Sequence, residues 1–407
     1  MKLDKRSAVA ATAAELYAWH ARARAFERLN PPFDPVELVS RSGPGGLKVG
    51  TRVTVNVKVG PLSQPWVAEH TADEPGRLFR DEQRDGPFSR WVHTHRFADG
   101  ELHDEIDFSL PVGESFAAKK LEKVFGYRHA VTRADFERHN RFKALPRQRI
   151  AITGINGLIG NVLAAYLDTA GHEIVPVKRG DFGAVDGCDA VIHLAGAPIG
   201  TRWTKSLRVE IVTSRVDYTR SLVAAMKKAA KPPRVLLSGS AIGVYGDRGD
   251  EVLTEDSTVG ARAARGAGFL AGLCEDWEAE ALKADARVVL MRTGVVLTPQ
   301  GGALSKMLPP FQAGAGGPLG DGKQWMSWIS VEDMLGAIEH ALHTETVSGP
   351  LNLTAPSPHT GNDFAKELGR VLHRPSFARV PSLALELLYG ESARAALLAS
   401  QRVLPKR

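Results

Sequence analysis

Chemistry-bearing residues concentrate first in Gly154-Ile155-Asn156-Gly157-Leu158-Ile159-Gly160, which follows an apolar strand pattern and opens a helical one. Glycine permits a tight turn and lets backbone approach a pyrophosphate, and a helix N-terminus presents unpaired N–H groups and the positive end of its dipole. This context predicts dinucleotide binding, with Gly154, Asn156, Gly157, Leu158, Ile159 and Gly160 around the phosphates. The end of the next strand then selects the nucleotide. A carboxylate there takes a ribose 2′-hydroxyl, whereas an arginine pairs with a 2′-phosphate. Here Glu173 to Val177 runs into Lys178-Arg179, with Asp181 further into the loop. Arg179 therefore favours NADP(H) over NAD(H), the alternative being that these cations are ordinary solvated loop residues.

Four more residues offer substrate chemistry. Trp203, Trp325 and Trp328 supply rings for stacking, and Arg215 supplies a cation for a phosphate or carboxylate, which together would suit a small-molecule substrate. Core packing explains the tryptophans equally well. Trp91, His93, His95 and Phe97 share one face at strand spacing and could line a cavity. Nearby sequence gives His93 and His95 no obvious third and fourth metal ligands, so histidines hydrogen-bonded within a sheet are expected and no metal site is assigned. The cysteines, Cys188 and Cys274, are too few and too far apart for a disulfide framework or a metal cluster. Cys274 reads as a buried structural thiol in preference to a nucleophile.

These residues need scaffolds, and the chain has room for them. Its 407 residues, 43% hydrophobic and 24% charged, have the composition of an ordinary globular protein and exclude a disordered or collagen-like chain. The formal charge of +6 comes with interspersed signs and no basic block, so a nucleic-acid partner is not indicated. No run approaches the ~18 apolar residues that span a bilayer, the N-terminus lacks a signal core, and a cytoplasmic location is expected. Before a boundary near Phe142 to Gln148, strand-like segments at Thr51 to Val59, Trp66 to Thr71, Ser89 to Phe97 and Leu102 to Leu110 predict an antiparallel sheet. A short helix, Ala13 to His20, precedes them. A long one follows from Glu114 to His139, with Phe116, Leu121, Val124 and Phe125 as its apolar stripe. After Gln148, strand and helix patterns alternate, which implies βαβ units and a parallel sheet. Gly260 to Gly268, Gly301-Gly302 and Gly314 to Gly322 read as loops above it.

The G-x-x-G-x-x-G spacing resembles the short-chain dehydrogenase/reductase superfamily, and later segments resemble it in order. They are Val191-Ile192-His193-Leu194-Ala195-Gly196, Leu236-Leu237-Ser238-Gly239-Ser240-Ala241 with Val244-Tyr245-Gly246, Leu290 to Val296, and Trp328-Ile329-Ser330-Val331-Glu332-Asp333. Ala197-Pro198-Ile199, Arg202-Trp203, Ser214-Arg215, Trp277-Glu278, Gly316 to Gly320, Gln324-Trp325 and Ser400 to Pro405 narrow the resemblance to the atypical epimerase family of unknown specificity. The resemblance implies a Rossmann-type doubly wound parallel sheet of the extended kind, with Leu194, Ala195, Gly196, Ser238 and Thr293 beside the cofactor and Ser240 as the substrate-orienting serine. It also implies a departure. The usual tyrosine and lysine positions hold Leu270 and Cys274, which cannot give a proton or a positive charge. Tyr245, just after the serine loop, is then the candidate proton donor, with loop packing as its alternative role.

The N-terminal half is similar to the helix-grip, START-like ligand-binding superfamily through Phe26 to Pro32, Gly86-Pro87-Phe88, Trp91-x-His93-x-His95, Leu110-Pro111 and Phe125 to His129. That implies an α+β domain with a curved antiparallel sheet and a cavity for a hydrophobic ligand. The expected domains are residues 1–145 and 149–407, the second with a substrate-side part from about 299–330 and 350–407. Two functions are expected: an NADP(H)-dependent epimerase or reductase of unknown, nucleotide-sugar-like substrate, or a cofactor-binding regulator with reduced catalysis. Neither fixes an oligomeric state.

Overall fold

The computed structural model describes residues 1–59, 62–259 and 268–407. The loop expected from Gly260 to Gly268 lies, except for its last residue, outside the described residues. The chain forms two compact units, one of Met1–Arg147 with Ala164–His172, the other of Gln148–Leu163 with Glu173–Arg407.

The first unit runs β1 (Lys2–Ala8), α1 (Ala13–His20), α2 (Ala25–Arg28), β2 (Glu37–Ser42), β3 (Arg52–Val59), β4 (Leu62–Glu74), β5 (Leu78–Asp85), β6 (Arg90–Ala98), β7 (Glu101–Ser109) and α3 (Glu114–His139). Its seven strands form one antiparallel sheet in the order β1-β7-β6-β5-β4-β3-β2. Register shifts between Leu38 and Ser40, Val67 and Ala68, and His70 and Ala72 mark bulges, which bend a sheet and raise its twist. The sheet is therefore curved. α1 starts at a capping box in which Thr12 and Glu15 satisfy each other's backbone N–H groups. α3 buries Val124, Phe125, His129, Thr132, Asp135 and Phe136, a helical period, and Phe125 joins Trp91, Ile106 and Phe108 in a core cluster. The expected stripe is corrected at its start: Phe116 is 76% exposed, because the buried face of α3 begins only at Val124. Three strands escaped the sequence pattern. β1, β2 and β5 are so rich in charged and polar residues that their alternation carries little hydrophobic contrast.

The second unit begins β8 (Arg149–Thr153), α4 (Leu158–Thr169, whose residues from Ala164 onward group with the first unit), β9 (Glu173–Val177), β10 (Ala190–His193), α5 (Lys205–Val212), α6 (Tyr218–Lys228), β11 (Val235–Ala241), β12 (Val252–Leu253), α7 (Phe269–Ala281), β13 (Arg287–Thr293) and β14 (Val295–Leu297). It continues α8 (Gly302–Gln312), β15 (Trp325–Met326), β16 (Trp328–Ser330), α9 (Val331–His343), β17 (Gly349–Leu353), β18 (His359–Thr360), α10 (Gly361–Leu372), α11 (Ser382–Tyr389), α12 (Glu391–Ala396) and β19 (Arg402–Val403). Six strands pair in parallel in the order β17-β13-β11-β10-β8-β9. β10 is buried at every position and β8 at every position after Arg149, as continuous apolar strands covered on both faces must be. The chain steps outward from β8 to β9 and then crosses back to β10. That reversal opens a crevice at the carboxyl ends of β8 and β10, the place where such sheets bind ligands.

Candidate functional site

At that carboxyl edge Thr153 ends β8 and the glycine loop follows. Gly154 has φ +69°, and a Cβ there would lie 2.8 Å from the Ala195 nitrogen. A Cβ on Gly160 would lie 2.2 Å from the Gly154 carbonyl oxygen, so the first turn of α4 rests directly on the loop. Asn156, Gly157 and Leu158 are exposed, Ile159 is half-buried and Gly160 is buried. As the opening positions of α4, Leu158, Ile159 and Gly160 have N–H groups without intrahelical acceptors. An open helix N-terminus behind a tight glycine turn fits a pyrophosphate. Val177 of β9 pairs with Thr153, which brings Lys178 and Arg179 to the same edge. Arg179 is exposed, with its guanidinium 5.4 Å from the centre of the Tyr218 ring.

The neighbouring turn is built to hold still. Thr153 Oγ1 accepts hydrogen bonds from the N–H groups of Leu194 and Ala195, each at 3.2 Å. Arg215 donates from Nη1 to the Ala197 carbonyl at 3.0 Å and lies 5.3 Å from the centre of the Trp277 ring. A Cβ on Gly196 would sit 2.9 Å from Arg215 Cζ, and one on Gly239 would sit 2.9 Å from Trp277. Both glycines are thus needed for the arginine and the tryptophan to fit. His193, wholly buried, joins Thr153 Oγ1 at 2.6 Å to Thr219 Oγ1 at 3.0 Å, and burial, then Arg215, pushes its pKa down to about 4. It is a neutral strut. Ser238 is fully buried with its hydroxyl donating to the Gly239 carbonyl, and Thr293 closes β13 with its hydroxyl on the Met291 carbonyl.

Ser240 and Tyr245 belong to one buried chain. Ser240 Oγ donates to Glu278 Oε1 at 2.6 Å, and Arg292 grips the same carboxylate through Nε at 2.9 Å and Nη2 at 2.8 Å. Arg292 Nη1 donates at 3.0 Å to the Tyr245 hydroxyl, which donates to Asn352 Oδ1 at 2.8 Å and lies 3.0 Å from the Thr254 carbonyl oxygen. Tyr245 is 0% exposed and Ser240 5%. The Tyr245 hydroxyl, the expected proton donor, is closed in among protein groups. Burial raises its pKa against the opposing pull of Arg292. Ser240 has its proton already committed to a carboxylate. Tyr245→Phe is expected to lower stability by about 1–2 kcal/mol through the lost hydrogen bonds, while NADPH affinity, read by titration, stays unchanged.

Leu270 is buried in the cluster of Ala197, Trp203, Ile211, Val216 and Leu273. Burial pushes the Cys274 thiol up to about 12, which leaves it protonated and unreactive. Each of the three tryptophans has a hydrogen-bond partner within the protein. Trp203 is 9% exposed and donates to the Ile199 carbonyl, Trp325 donates to Asp250 beneath Arg402, and Trp328 donates to His359 Nδ1. Glu278 and Arg292 were missed as a pair. Each stands inside a sequence motif, Trp277-Glu278 and Leu290 to Val296, but only the packing of α7 on β13 brings them together. Gln401 was missed too: its Nε2 donates to the Ile242 and Gly246 carbonyls and so clamps both ends of the turn that follows the serine loop.

A family model described as NAD dependent epimerase/dehydratase family matches residues 150–353, half of the chain. One described as polyketide cyclase / dehydrase and lipid transport matches 9–137, and a domain of unknown function matches 380–407. An epimerase family protein of Mycobacterium bovis is 39% identical over 277 residues, 63% of this chain and 89% of that protein. A crystal structure described as a nucleoside-diphosphate sugar epimerase from Corynebacterium glutamicum aligns with 98% of this chain and 91% of its own, at TM-score 0.73 and 28% identity. The human epimerase family protein SDR39U1, solved with NADPH, covers 63% of this chain and 91% of its own, at TM-score 0.59 and 34% identity. Among the described residues no helix is long and apolar enough to cross a membrane. With the glycine turn, the reversed strand order and these matches together, the chain belongs to the NAD-dependent epimerase/dehydratase family, with a polyketide cyclase-like, START-type domain before its Rossmann unit.

Proposed function

We propose that the second unit binds NADPH in preference to NADH and reduces, oxidises or epimerises a small substrate at the carboxyl edge of its sheet. The observation that carries this reading is the pairing of Thr153 with Val177, which sets the glycine loop and Arg179 on one edge. Gly154, Gly157 and the first turn of α4 would hold the pyrophosphate, Arg179 the 2′-phosphate, and Leu194, Ala195, Gly196 and Thr293 would border the rest. When bound, the nicotinamide supplies hydride chemistry. The chain's part is to hold the rigid turn at Gly196 through Arg215 and the serine loop through Glu278. The NADPH-bound human relative supports the choice of nucleotide. A nucleotide-sugar-like substrate is the working class, since a full-length neighbour carries that description.

Titration of the intact protein with both nucleotides tests the proposal. Losing a charge-assisted pair of about 1.5–3 kcal/mol predicts that Arg179→Ala weakens NADPH by roughly 10- to 150-fold and leaves NADH nearly untouched. Equal affinities for both nucleotides in the unaltered protein would overturn it. A second reading is a cofactor-binding regulator. Leu270, Cys274 and the enclosed Tyr245 favour it, because no phenol or amine among them is free to move a proton. Its signature is NADPH binding without turnover of any UDP- or dTDP-sugar.

A further inference from the structure

The first unit holds a cavity of about 430 Å³ walled by Phe26, Leu29, Leu47, Val53, Val55 and Phe79 among others. Asp81, His93 and His95 also line it, and they arrive there by strand register. His93 and His95 lie two apart on β6, so both side chains point to one face. Asp81 of β5 is the cross-strand partner of His93, and Asp104 of β7 is the cross-strand partner of His95. Asp81 Oδ2 stands 3.1 Å from His93 Nδ1 and 4.0 Å from His95 Nε2, and one ligand atom from each of the three falls within 4.8 Å of the others. Metal bonds of about 2.0–2.2 Å in a tetrahedral set place adjacent ligand atoms about 3.4 Å apart, so Asp81 and His93 already stand near that spacing and His95 has to move inward to share an ion.

The groups behind them are arranged as a metal site requires. His93 Nε2 lies 3.2 Å from Asp104 Oδ1, and His95 Nδ1 lies 2.6 Å from the same oxygen, though without hydrogen-bond geometry. Both imidazoles therefore turn one nitrogen to a common carboxylate and the other toward Asp81. Metal-bound histidines are commonly oriented by just such a carboxylate on the far nitrogen. Asp104 is itself held through Oδ2 by His129 Nε2 at 2.8 Å, and Trp91 Nε1 donates to Asp81 Oδ1 at 3.1 Å. Further polar atoms of the wall, Thr51 Oγ1, Trp66 Nε1 and Arg128 Nε, are buried without a hydrogen-bond partner among the described residues, so the cavity is equipped for more than hydrocarbon.

We propose that Asp81, His93 and His95 bind one divalent transition-metal ion of the zinc or ferrous class, leaving its remaining coordination positions open to the cavity. Two imidazoles and one carboxylate suit such ions and not magnesium or calcium, which demand oxygen donors. A cavity ligand with an oxygen donor would complete the coordination. The third ligand escaped sequence reading because it comes from the neighbouring strand β5, twelve residues before His93, and only the ladder aligns the two.

Zinc titration of metal-stripped full-length protein by calorimetry should show one equivalent bound. Asp81→Asn and His95→Gln should each weaken that binding by more than the roughly 10- to 100-fold typical of losing an outer-shell partner. His103→Ala, at the separate contact with Asp4, should leave it unchanged. Because a variant could fail to fold, cobalt loading of the unaltered chain gives an independent reading: two exchangeable imidazole N–H protons should appear among the paramagnetically shifted resonances. No zinc uptake by the unaltered protein, uptake that survives both folded substitutions, or a cobalt spectrum without shifted imidazole protons would overturn the site. The first of these outcomes would leave a proton shared among His93, Asp81 and Asp104 as the source of charge balance.

Discussion

Arg292→Ala is expected to destabilise the Rossmann unit by about 3–5 kcal/mol, the usual cost of removing one partner of a buried ion pair. The reason is what remains. Glu278 is 6% exposed, and without Arg292 it keeps only the Ser240 hydroxyl as a donor from this chain of groups. The Tyr245 hydroxyl at the same time loses the donor that fixes it beside Asn352. For a unit of this size each kcal/mol moves the melting temperature by about 2–4 °C, so thermal unfolding should fall by roughly 6–20 °C. Glu278→Gln, which keeps the shape but strands the guanidinium, should approach the same loss. A double-mutant cycle between Arg292 and Tyr245 should return a coupling of about 0.5–3 kcal/mol, since the two share one network. A fall of under 1 kcal/mol in Arg292→Ala would mean that water reaches the pair and that the network is not the anchor of the serine loop.

Gly160→Ala is expected to reduce NADPH affinity about 100-fold or more in protein that still folds. The added methyl would lie 2.2 Å from the Gly154 carbonyl oxygen and 2.9 Å from Ile155 Cα. Those are backbone atoms. They can yield only if the glycine turn moves away from α4, and that movement spoils the approach of the loop to a pyrophosphate. Gly157→Ala is the graded comparison, because its Cβ would meet only the Gly154 oxygen at 3.1 Å. It should cost less, and the order of the two losses is the test. Fluorescence titration with NADPH, with circular dichroism as the folding check, measures both. Equal affinity in Gly160→Ala and the unaltered chain would show that the nucleotide binds elsewhere.

Local patterns made the architecture readable because they act over short distances. Gly154, Gly157 and Gly160 follow a strand and start a helix within a dozen residues, so turn, helix N-terminus and phosphate site are all consequences of one contiguous segment. Alternating strand and helix after Gln148 likewise implied a parallel sheet, and the aromatic and β-branched runs before it implied an antiparallel one. Strands with little hydrophobic contrast stayed hidden. β5, Leu-Phe-Arg-Asp-Glu-Gln-Arg-Asp, is recognisable only through its partners β4 and β6.

By itself, then, the amino-acid sequence determined the two fold classes, the glycine loop and the cation at the end of β9, since each depends on neighbours along the chain. Tertiary structure alone decided the fate of the side chains. Tyr245 is enclosed because Arg292, Asn352 and Thr254 converge on it from three separate segments. Arg215 lies over Trp277 and against Gly196, Trp277 lies against Gly239, and Trp325 and Trp328 donate to Asp250 and His359. His93 and His95 acquire Asp81 and Asp104 only when β5 and β7 flank β6. A side chain's chemistry depends on its burial and on which charge lies opposite, and both are set by contacts between residues that sequence spacing leaves unrelated.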